Sequence, residues 1–252
     1  YATAVGWNAS AGSDQSTAVG ASSNAAGYGG VALGGGNGGT TRNGAQALAA
    51  GSVAIGGIDN WTGSFGANAS ASNAIAIGTF SKASNTSSIA IGKGAQATAS
   101  QAISIGTGNV VSGANAGAIG DPSYVSGTGT YTIGNNNGTA AAPVAATESG
   151  AFGNNNALPT ASTTGIRVVG NGNTVNSSHV MVMGNNVTVG AGMDGAVVLG
   201  DSSTADAAVA TNEATVNNLT YSGFAGNSPA AGDIVSVGAA GSERQIKNVA
   251  AG

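Results

Sequence analysis

The residues of this sequence that could carry out chemistry are few, and they do not form a catalytic set. The single histidine, His179, lies in the stretch NSSHVMVMG, and the chain has no cysteine. A zinc or other transition-metal site needs three or four ligands together, so we interpret His179 as a surface or turn residue. The ten acidic residues are spread almost evenly and suggest no carboxylate pair for acid–base work. We therefore expect no enzyme activity, no catalytic residue, no metal and no cofactor.

A glycine-rich stretch at residues 29–39, GGVALGGGNGG, has the composition of a phosphate-binding loop. The Gly-Lys-Ser/Thr signature of such a loop does not follow it, and no helix is predicted after it to direct N–H groups at a phosphate. It also lacks the aspartate of the calcium-binding nonapeptide repeat. We interpret the stretch as a loop.

The composition excludes several other classes of protein. Charged residues make up 6% of the 252 residues, and the six basic ones form no patch, which argues against nucleic-acid binding. The chain has no cysteine for disulfides and no apolar run of about 18 residues for a membrane span. It also lacks the features of a signal peptide, and it begins and ends within a repeat pattern. We therefore expect a fragment of a longer protein.

An apolar–small–apolar–Gly motif organises the chain. Between positions 75 and 106 it ends at Gly78, Gly92 and Gly106, so that consecutive copies are spaced by fourteen positions. Half of the intervals between such triplets along the chain have this same length. The triplets end at Gly6, Gly20, Gly34, Gly56, Gly66, Gly78, Gly92, Gly106, Gly120, Gly134, Gly153, Gly170, Gly184, Gly200 and Gly238. A fixed period of this kind is the sequence signature of a repeat fold.

Each repeat contains two segments that alternate with period 2, as in Ile89-Ala90-Ile91 and Ala95-Gln96-Ala97. Alternation indicates β-strands, whereas the frequent glycines and the i, i+2 spacing argue against helices. Two strands of about four or five residues and two tight turns use up one repeat, and the closing glycine suits a positive φ. The sequence therefore predicts an all-β fold, a parallel β-roll in which one repeat forms one coil and the coils stack strand on strand.

The alternation also leads to a prediction of what faces inward. We expect the large residue (Ile, Val, Leu, Phe or Met) to fill the inside of the roll and the small residue between two large ones to point outward. The small position is Ala, Ser or Thr in 12 of the 15 triplets. Because small side chains allow a second surface to come close, we predict that coils associate side by side through them. This predicted interface face includes Ala54, Ala76, Ala90, Ser104 and Ala118.

Intervals longer than the common period carry loops, most obviously at positions 34–44 and 140–150. Repeat proteins place such insertions on one exposed face, often the binding face. Trp61 lies in an irregular unit after Ile58-Asp59-Asn60. We interpret it as covering an end of the core, with an exposed contact as the alternative.

The repeat resembles that of a known family. The stretches SVAIG at 52–56 and SIAIG at 88–92 resemble the head repeat of YadA-like trimeric autotransporter adhesins. The final stretch GAAGSERQIKNVAAG, at 238–252, is similar to the neck of that family. The stretch YSGFAG at 221–226, followed by VSVG at 235–238, resembles the insert between head and neck. Together these similarities cover essentially the whole chain.

The resemblance implies a left-handed parallel β-roll, with three chains packed around a threefold axis as a homotrimer and a neck that leads to a coiled coil. We therefore expect head repeats over residues 1–206, the head insert over 207–236 and the neck over 237–252. The insert is predicted to be a strand pair that reaches a neighbouring subunit, with Tyr221 and Phe224 as its contacts.

Two parts of the chain bear on packing between subunits. In the late triplets, Val168, Val182 and Val198 replace the small residue, so we expect the packing toward the partners to differ there. The predicted trimer contacts of the neck are Glu243, Arg244, Ile246, Lys247 and Val249.

Within the neck, Ile246 and Val249 are three residues apart, which fits the first turn of a coiled-coil seam. For Arg244 we favour pairing with an acid or a main-chain carbonyl of a neighbouring chain over the alternative of a solvated surface charge.

For function, the resemblance implies the head of a bacterial surface adhesin that attaches to host cells and to matrix proteins of the collagen, fibronectin and laminin class. Such a head stands outside the outer membrane of a Gram-negative bacterium and is held only through a C-terminal anchor that this sequence lacks. The alternative is a non-adhesive β-solenoid, such as an ice-binding protein or a phage tail fibre. Ice binding favours a regular Thr-x-Thr array, and pairs such as Thr128-Gly129-Thr130 do not repeat in register here.

Overall fold

The computed structural model describes residues 1–37, 43–58 and 65–250. They form an all-β parallel solenoid, in which each strand pairs with the strand at the same position one coil further along. The predicted parallel β-roll is confirmed. Its strands are shorter than expected, with three residues on one side of a coil and two on the other, as in Ile89–Ile91 and Gln96–Ala97. The two turns of each coil take up the remaining residues.

The three-residue strands form one sheet along the solenoid, named here the long sheet, which has fourteen strands in the described residues when the two-residue strand Val235–Ser236 at its end is included. Its neighbouring strands are parallel and in register, so that Ile89 pairs with Ile103 and Ala90 with Ser104. The strands are Thr3–Val5, Thr17–Val19, Val31–Leu33, Val53–Ile55, Ile75–Ile77, Ile89–Ile91, Ile103–Ile105, Gly117–Ile119, Tyr131–Ile133, Gly150–Phe152, Arg167–Val169, Met181–Met183, Val197–Leu199 and Val235–Ser236.

The two-residue strands lie on the opposite side of each coil. Eight of them, within the described ranges, form the short sheet. Two more, Thr174–Val175 and Thr188–Val189, pair with each other further along, and isolated parallel bridges such as Val125 to Val144 lie between the two groups. The strands of the short sheet are Ser10–Ala11, Asn24–Ala25, Gln46–Ala47, Asn68–Ala69, Lys82–Ala83, Gln96–Ala97, Val110–Val111 and Tyr124–Val125.

Insertions enter at the turns and leave the register of the long sheet intact. Val53 pairs directly with Ile75, so the triplet that ends at Gly66 lies inside an insertion and does not open a coil of its own. The loop predicted at 140–150 contains a tight turn, in which the Thr139 N–H donates to the Ala142 carbonyl at 2.9 Å. Part of the loop predicted at 34–44 lies outside the described residues, as does Trp61.

The glycine that closes each strand of the long sheet has the predicted positive φ in most coils, for example 123° at Gly92 and Gly106. At Gly106 a second requirement applies, because a Cβ atom there would collide with the carbonyl oxygen of Gly120 in the next coil. The closing glycine therefore permits both the turn and the close stacking of coils.

The insert contains an antiparallel hairpin of Glu213–Val216 and Leu219–Ser222, which confirms the predicted strand pair. Asn217 and Asn218 have φ values of 51° and 64° at its turn, as a two-residue type I′ turn requires. The long sheet resumes after the insert, since Val197 pairs with Val235. Within the described residues, no helix has the length and apolar character needed to cross a bilayer.

Candidate interaction faces

The interior of the roll is lined by small residues, which reverses the predicted orientation of the strands. The five residues of the predicted interface face are all fully buried within a single chain; they are Ala54, Ala76, Ala90, Ser104 and Ala118. Side chains buried inside their own chain are not available to a partner. The prediction that chains associate through this face is therefore wrong.

The physical reason is the small size of each coil. Ala90 of the long sheet and Ala97 of the short sheet both point inward, and both belong to the buried core. Two sheets usually stack about 10 Å apart, with large side chains between them. A coil with three strand residues on one side and two on the other closes over a thinner interior. Small side chains fill it, and the large neighbours of Ala90 lie outside.

The late valines also point inward. Val168, Val182 and Val198 are buried in the core, and Val175 and Val189 contribute to the same core from the opposite side of the coil. The expectation that these residues change the packing toward partners is therefore wrong. They change the volume of the interior instead.

The outer surface of the long sheet, named here the apolar face, carries large hydrophobic side chains along its length. They are the third residue of each three-residue strand and the first residue of most of these strands, as in Ile105 and Ile103. Its members that are more than a third exposed in the single chain include Val19, Ile55, Ile119, Tyr131, Ile133, Phe152, Val169, Met181 and Met183. A continuous apolar surface of this kind marks an association site.

The outer surface of the short sheet is polar along its first six strands and ends at Val110 and Tyr124. Register pairing places one outward residue of successive coils in a single column, which runs through Asn24, Gln46, Asn68, Lys82 and Gln96. The Asn24 side-chain amide donates to Oε1 of Gln46 at 3.4 Å along this column. The two outer surfaces of the roll thus differ in character, and we name this one the polar face.

A ladder of side-chain amides follows the corner at which the long sheet ends, and we name it the outer ladder. The main-chain N–H of Asn154 donates to Oδ1 of Asn171 at 2.9 Å. Asn171 repeats this bond to Asn185 at 2.8 Å, and Asn185 repeats it to Asp201 at 2.9 Å. Sequence reasoning missed this ladder, although an asparagine directly after the closing Gly153, Gly170 and Gly184 was a visible signal.

A second set of asparagines lies inside the roll and was also missed. Asn137, Asn156 and Asn173 are buried. The Asn156 side-chain amide donates to the Gly170 carbonyl at 2.8 Å, and its Oδ1 accepts the Asn173 N–H at 3.1 Å. This inner ladder satisfies main-chain groups that would otherwise be buried without partners.

The segment predicted to be the neck follows the last strand of the long sheet, and Arg244 bonds it to the last coil. The guanidinium donates to the Val237 carbonyl at 2.9 Å, to Ser203 Oγ at 2.9 Å and to the Asp201 carbonyl at 2.8 Å. These partners include the main-chain carbonyls that we expected, but they belong to its own chain. The predicted pairing of Arg244 with a neighbouring chain stays a prediction.

Two carboxylates near the neck have lowered pKa values. The main-chain N–H of Asn185, and then its side-chain amide, donate to Asp201 and lower the pKa of its carboxyl, with a smaller contribution from the positive charge of Arg244. The pKa of Glu243 is lowered by the N–H of Gly241, which donates to Oε1 at 2.9 Å, and by its own N–H.

An open cavity of about 390 Å³ lies beside Glu243, lined by residues that include Asp206, Ser236 and Glu243.

The other predicted contact residues of the neck and insert are exposed in the single chain. Ile246, Lys247 and Val249 lie in a segment without regular secondary structure, and Tyr221 and Phe224 lie on and beside the hairpin. Their roles in contacts between chains stay predictions.

His179 lies in an exposed turn with a φ of 58°, which confirms its interpretation as a surface or turn residue. Its ring lies over Gly165, since a Cβ there would be 2.9 Å from Cδ2 of the histidine. Over the ranges that the structure describes, no three His, Cys, Asp or Glu side chains are grouped so that they could hold a metal ion.

The fold and its surfaces define the chain as a parallel β-solenoid with one apolar and one polar outer face. The family model for the YadA head domain repeat, which describes two copies of the repeat, matches it at residues 1–23, 11–37, 65–81, 69–95 and 83–109. The chain therefore contains YadA head repeats at these positions, which confirms the head-repeat part of the resemblance noted in the sequence.

Among solved structures, the collagen-binding domain of the Yersinia adhesin YadA is similar to this chain. The two share 21% sequence identity, and the match covers 80% of this chain and 88% of that one, with a TM-score of 0.48. A comparison with curated protein sequences gave no match.

Proposed function

We propose that this chain is the head of a bacterial surface adhesin, that it works as a homotrimer, and that it attaches to host cells through extracellular-matrix proteins. The observation that carries the proposal is the apolar face, which is continuous along the long sheet while the other outer surface is polar. Support also comes from the YadA head repeats in the sequence.

Self-association accounts for the apolar face. A single roll exposes Ile119, Ile133 and Met183 by about half of their surface, and burying the exposed half of each such side chain contributes roughly 0.7–1.5 kcal/mol. Three parallel chains around one axis bury these faces against each other and leave every polar face toward solvent. Closed rotational symmetry of this kind also prevents open-ended assembly. The left-handed sense of the roll, which the resemblance implies, belongs to the same proposal.

The neck and the insert are proposed to extend this assembly. Ile246 and Val249 are exposed in the single chain and supply apolar side chains for a coiled-coil seam. An isolated two-stranded hairpin is marginally stable in water, so the insert hairpin gains stability if Tyr221 and Phe224 pack on a neighbouring subunit. The division into head repeats (1–206), insert (207–236) and neck (237–252) follows from these roles.

In this assembly the polar face is the surface that meets a ligand. It has few charges and carries a polar group at the same position in successive coils, as at Asn68, Lys82 and Gln96. Many equivalent weak contacts give strong attachment through avidity, which a trimer multiplies further. Matrix proteins such as collagen, fibronectin and laminin are the partners proposed, on the resemblance to the family, for a head at the outer surface of a Gram-negative cell.

Binding of the full chain to immobilised type I collagen, fibronectin and laminin tests this function. We expect saturable binding to at least one of the three. We also expect weaker binding by a variant that carries Asn68→Glu and Gln96→Glu, because the added charges replace neutral amides on the polar face. The matched control is Asn154→Glu, which places the same side chain on the outer ladder.

Two outcomes contradict the proposal. The absence of binding to all three proteins removes the matrix role, and inhibition of ice recrystallisation by the same sample then favours an ice-binding solenoid. Equal binding by the polar-face variant and the native chain shows that the ligand uses another surface.

A further inference from the structure

We propose that Gly117, Tyr131, Gly150 and Arg167 form a register key on the apolar face, which fixes the axial alignment of associated chains. This inference rests on the proposed self-association. It adds a residue-level account of how partner chains stay level with each other.

A uniform apolar face cannot fix the alignment of its partner. Ile75, Ile89 and Ile103 occupy the same position in three successive coils. If one chain slides along another by one coil, about 4.8 Å, isoleucine meets isoleucine again. Repetitive surfaces with this property have weakly specified register.

The key is the part of this column in which the pattern changes. The strand pairing places Gly117 after Ile103, then Tyr131, then Gly150 and then Arg167. Along this column two glycines therefore alternate with Tyr131 and Arg167, which have two of the largest side chains on the face.

The backbone does not require these two glycines. Both lie in strands, and neither has a left-handed φ. A Cβ at Gly150 would meet its nearest neighbour at 3.5 Å, an ordinary contact, and a Cβ at Gly117 would collide only with the Tyr131 ring, at 2.6 Å. Glycine weakens a strand and marks the close approach of another group. At Gly117 that group is the Tyr131 ring of the next coil, and at Gly150 the neighbours include the Phe152 ring of the same strand at 3.5 Å and Cδ of Arg167 in the next coil at 4.0 Å.

The two large side chains are held flat against the sheet. The Tyr131 ring lies over Gly117, and the aliphatic part of Arg167 lies over Gly150. The guanidinium of Arg167 donates to the Glu148 carbonyl at 2.7 Å and to the Ile166 carbonyl at 2.9 Å. These contacts hold the two side chains in fixed positions, so that the shape of the apolar face between Gly117 and Arg167 differs from that of the other coils.

This difference in shape favours level chains. We call two chains level when the same coils face each other. In a level pair the Tyr131 rings of the two chains meet at the height of Gly117, a residue that has no side chain. A shift by one coil, in either direction, brings the ring of one chain to the height of Ile103 in the other. The slipped arrangement therefore replaces the contact between two rings by a contact between one ring and Ile103. It loses the aromatic pair, which contributes to association beyond the area that it buries.

A second copy of the chain is the occupant that fits this face. Fourteen strands, of which all but Val235–Ser236 have three residues, are spaced about 4.8 Å apart and are about 10 Å long, so that they present roughly 650 Å². A specific protein interface uses about 800 Å² on each partner. The face is thus of the right size for association along its whole length, and its repeat matches that of a parallel copy.

Disulfide mapping in the full chain tests the register key, because the native sequence has no cysteine. Val169 and Met183 pair in adjacent coils and both point outward on the apolar face. Chains with Val169→Cys are co-expressed with differently tagged chains that carry Met183→Cys, and the disulfide-linked products are separated by size. We expect matched products, 169 with 169 and 183 with 183, and few mixed ones.

The same pair of cysteines is then placed in a uniform-face background of Gly117→Val, Tyr131→Ile, Gly150→Val and Arg167→Val. We expect mixed products to rise several-fold, since slipped chains bring position 169 to the height of 183. The smaller change Gly117→Val with Tyr131→Ile serves the same purpose if the fourfold variant does not fold. Ile103→Val with Ile105→Val is the control that changes the face and keeps the key.

The possible results separate the two proposals. If the native chain is monomeric in sedimentation, self-association fails and the register key fails with it. If the native chain associates and the uniform-face variants still give only matched products, the register key is wrong while self-association stands. Frequent mixed products in the native background also overturn the key.

Discussion

In the strand Ile89–Ile91 of the long sheet, the middle residue is an alanine that points into the roll, and the two isoleucines point outward. In the strand Met181–Met183 the middle residue is a valine that points inward, and the two methionines point outward. The opposing inward residue changes in the same way, from Ala97 to Val189. The interior of the late coils therefore holds more side-chain volume. The outer surface keeps its apolar character in both regions, which indicates that this face is under a constraint that the interior does not share.

The first prediction concerns the space inside the early coils. Ala90→Leu should destabilise the chain by about 3 kcal/mol, because a large side chain enters an interior bounded by backbone and alanine. Val182→Leu is the matched change in the late coils, and it should cost about half as much, since it adds less volume. The free energy of unfolding from urea titrations followed by circular dichroism measures both. Equal costs at the two positions would show that the interiors do not differ.

The second prediction compares asparagines inside and outside the roll. Asn156→Ala should destabilise the chain by about 2 kcal/mol, because it leaves the Gly170 carbonyl and the Asn173 N–H buried without their partners. Asn154→Ala, on the outer ladder, should cost about 0.5 kcal/mol, since water can replace an exposed hydrogen bond. The same urea titrations apply. A larger loss at Asn154 would contradict the assignment of the inner ladder as the structural one.

The smallest expected effect lies at the end of the outer ladder. Hydrogen bonds from Asn185 lower the pKa of Asp201 in the folded chain. The resulting stabilisation is complete above the ordinary pKa of 3.8 and is lost as the pH falls through the lower, folded-state value. Asp201→Asn keeps an oxygen acceptor but does not titrate. The melting temperature of the variant should therefore fall less steeply than that of the native chain on acidification below about pH 4.

Asn185→Ala provides the control for this titration. It removes the side-chain donor to Asp201 and should reduce the difference between the native chain and Asp201→Asn. Parallel melting curves for the native chain and Asp201→Asn at all pH values would contradict the account of the ladder.

The sequence predicted the repeat and the parallel pairing, because both depend on spacing along the chain. The strand pair of the insert was predicted from the resemblance to a known family. It did not reveal which side of a strand is the core. Alternation shows that Ile89 and Ile91 share one side and Ala90 the other, but it does not tell which side is enclosed. That depends on the thickness of the interior, which is a property of the closed coil.

Arg244 illustrates a second limit of the sequence. Its role as a hydrogen-bond donor was visible in a chain with few charges, and a main-chain carbonyl was among its predicted partners. Whether that carbonyl belongs to the same chain depends on where the neck lies relative to Val237 and Asp201. The asparagine ladders, in contrast, had a sequence signal in the residues that follow the closing glycines.

The central claim is that chains associate through the apolar face and not through the small residues inside the roll. Sedimentation velocity over a wide concentration range tests it most directly, with the native chain compared with a variant that carries Ile133→Asp and Met183→Asp. We predict a stable species of three times the chain mass of 23.5 kDa for the native chain and a folded monomer for the variant. A native chain that stays monomeric at high concentration, or a variant that still forms trimers, would contradict the claim.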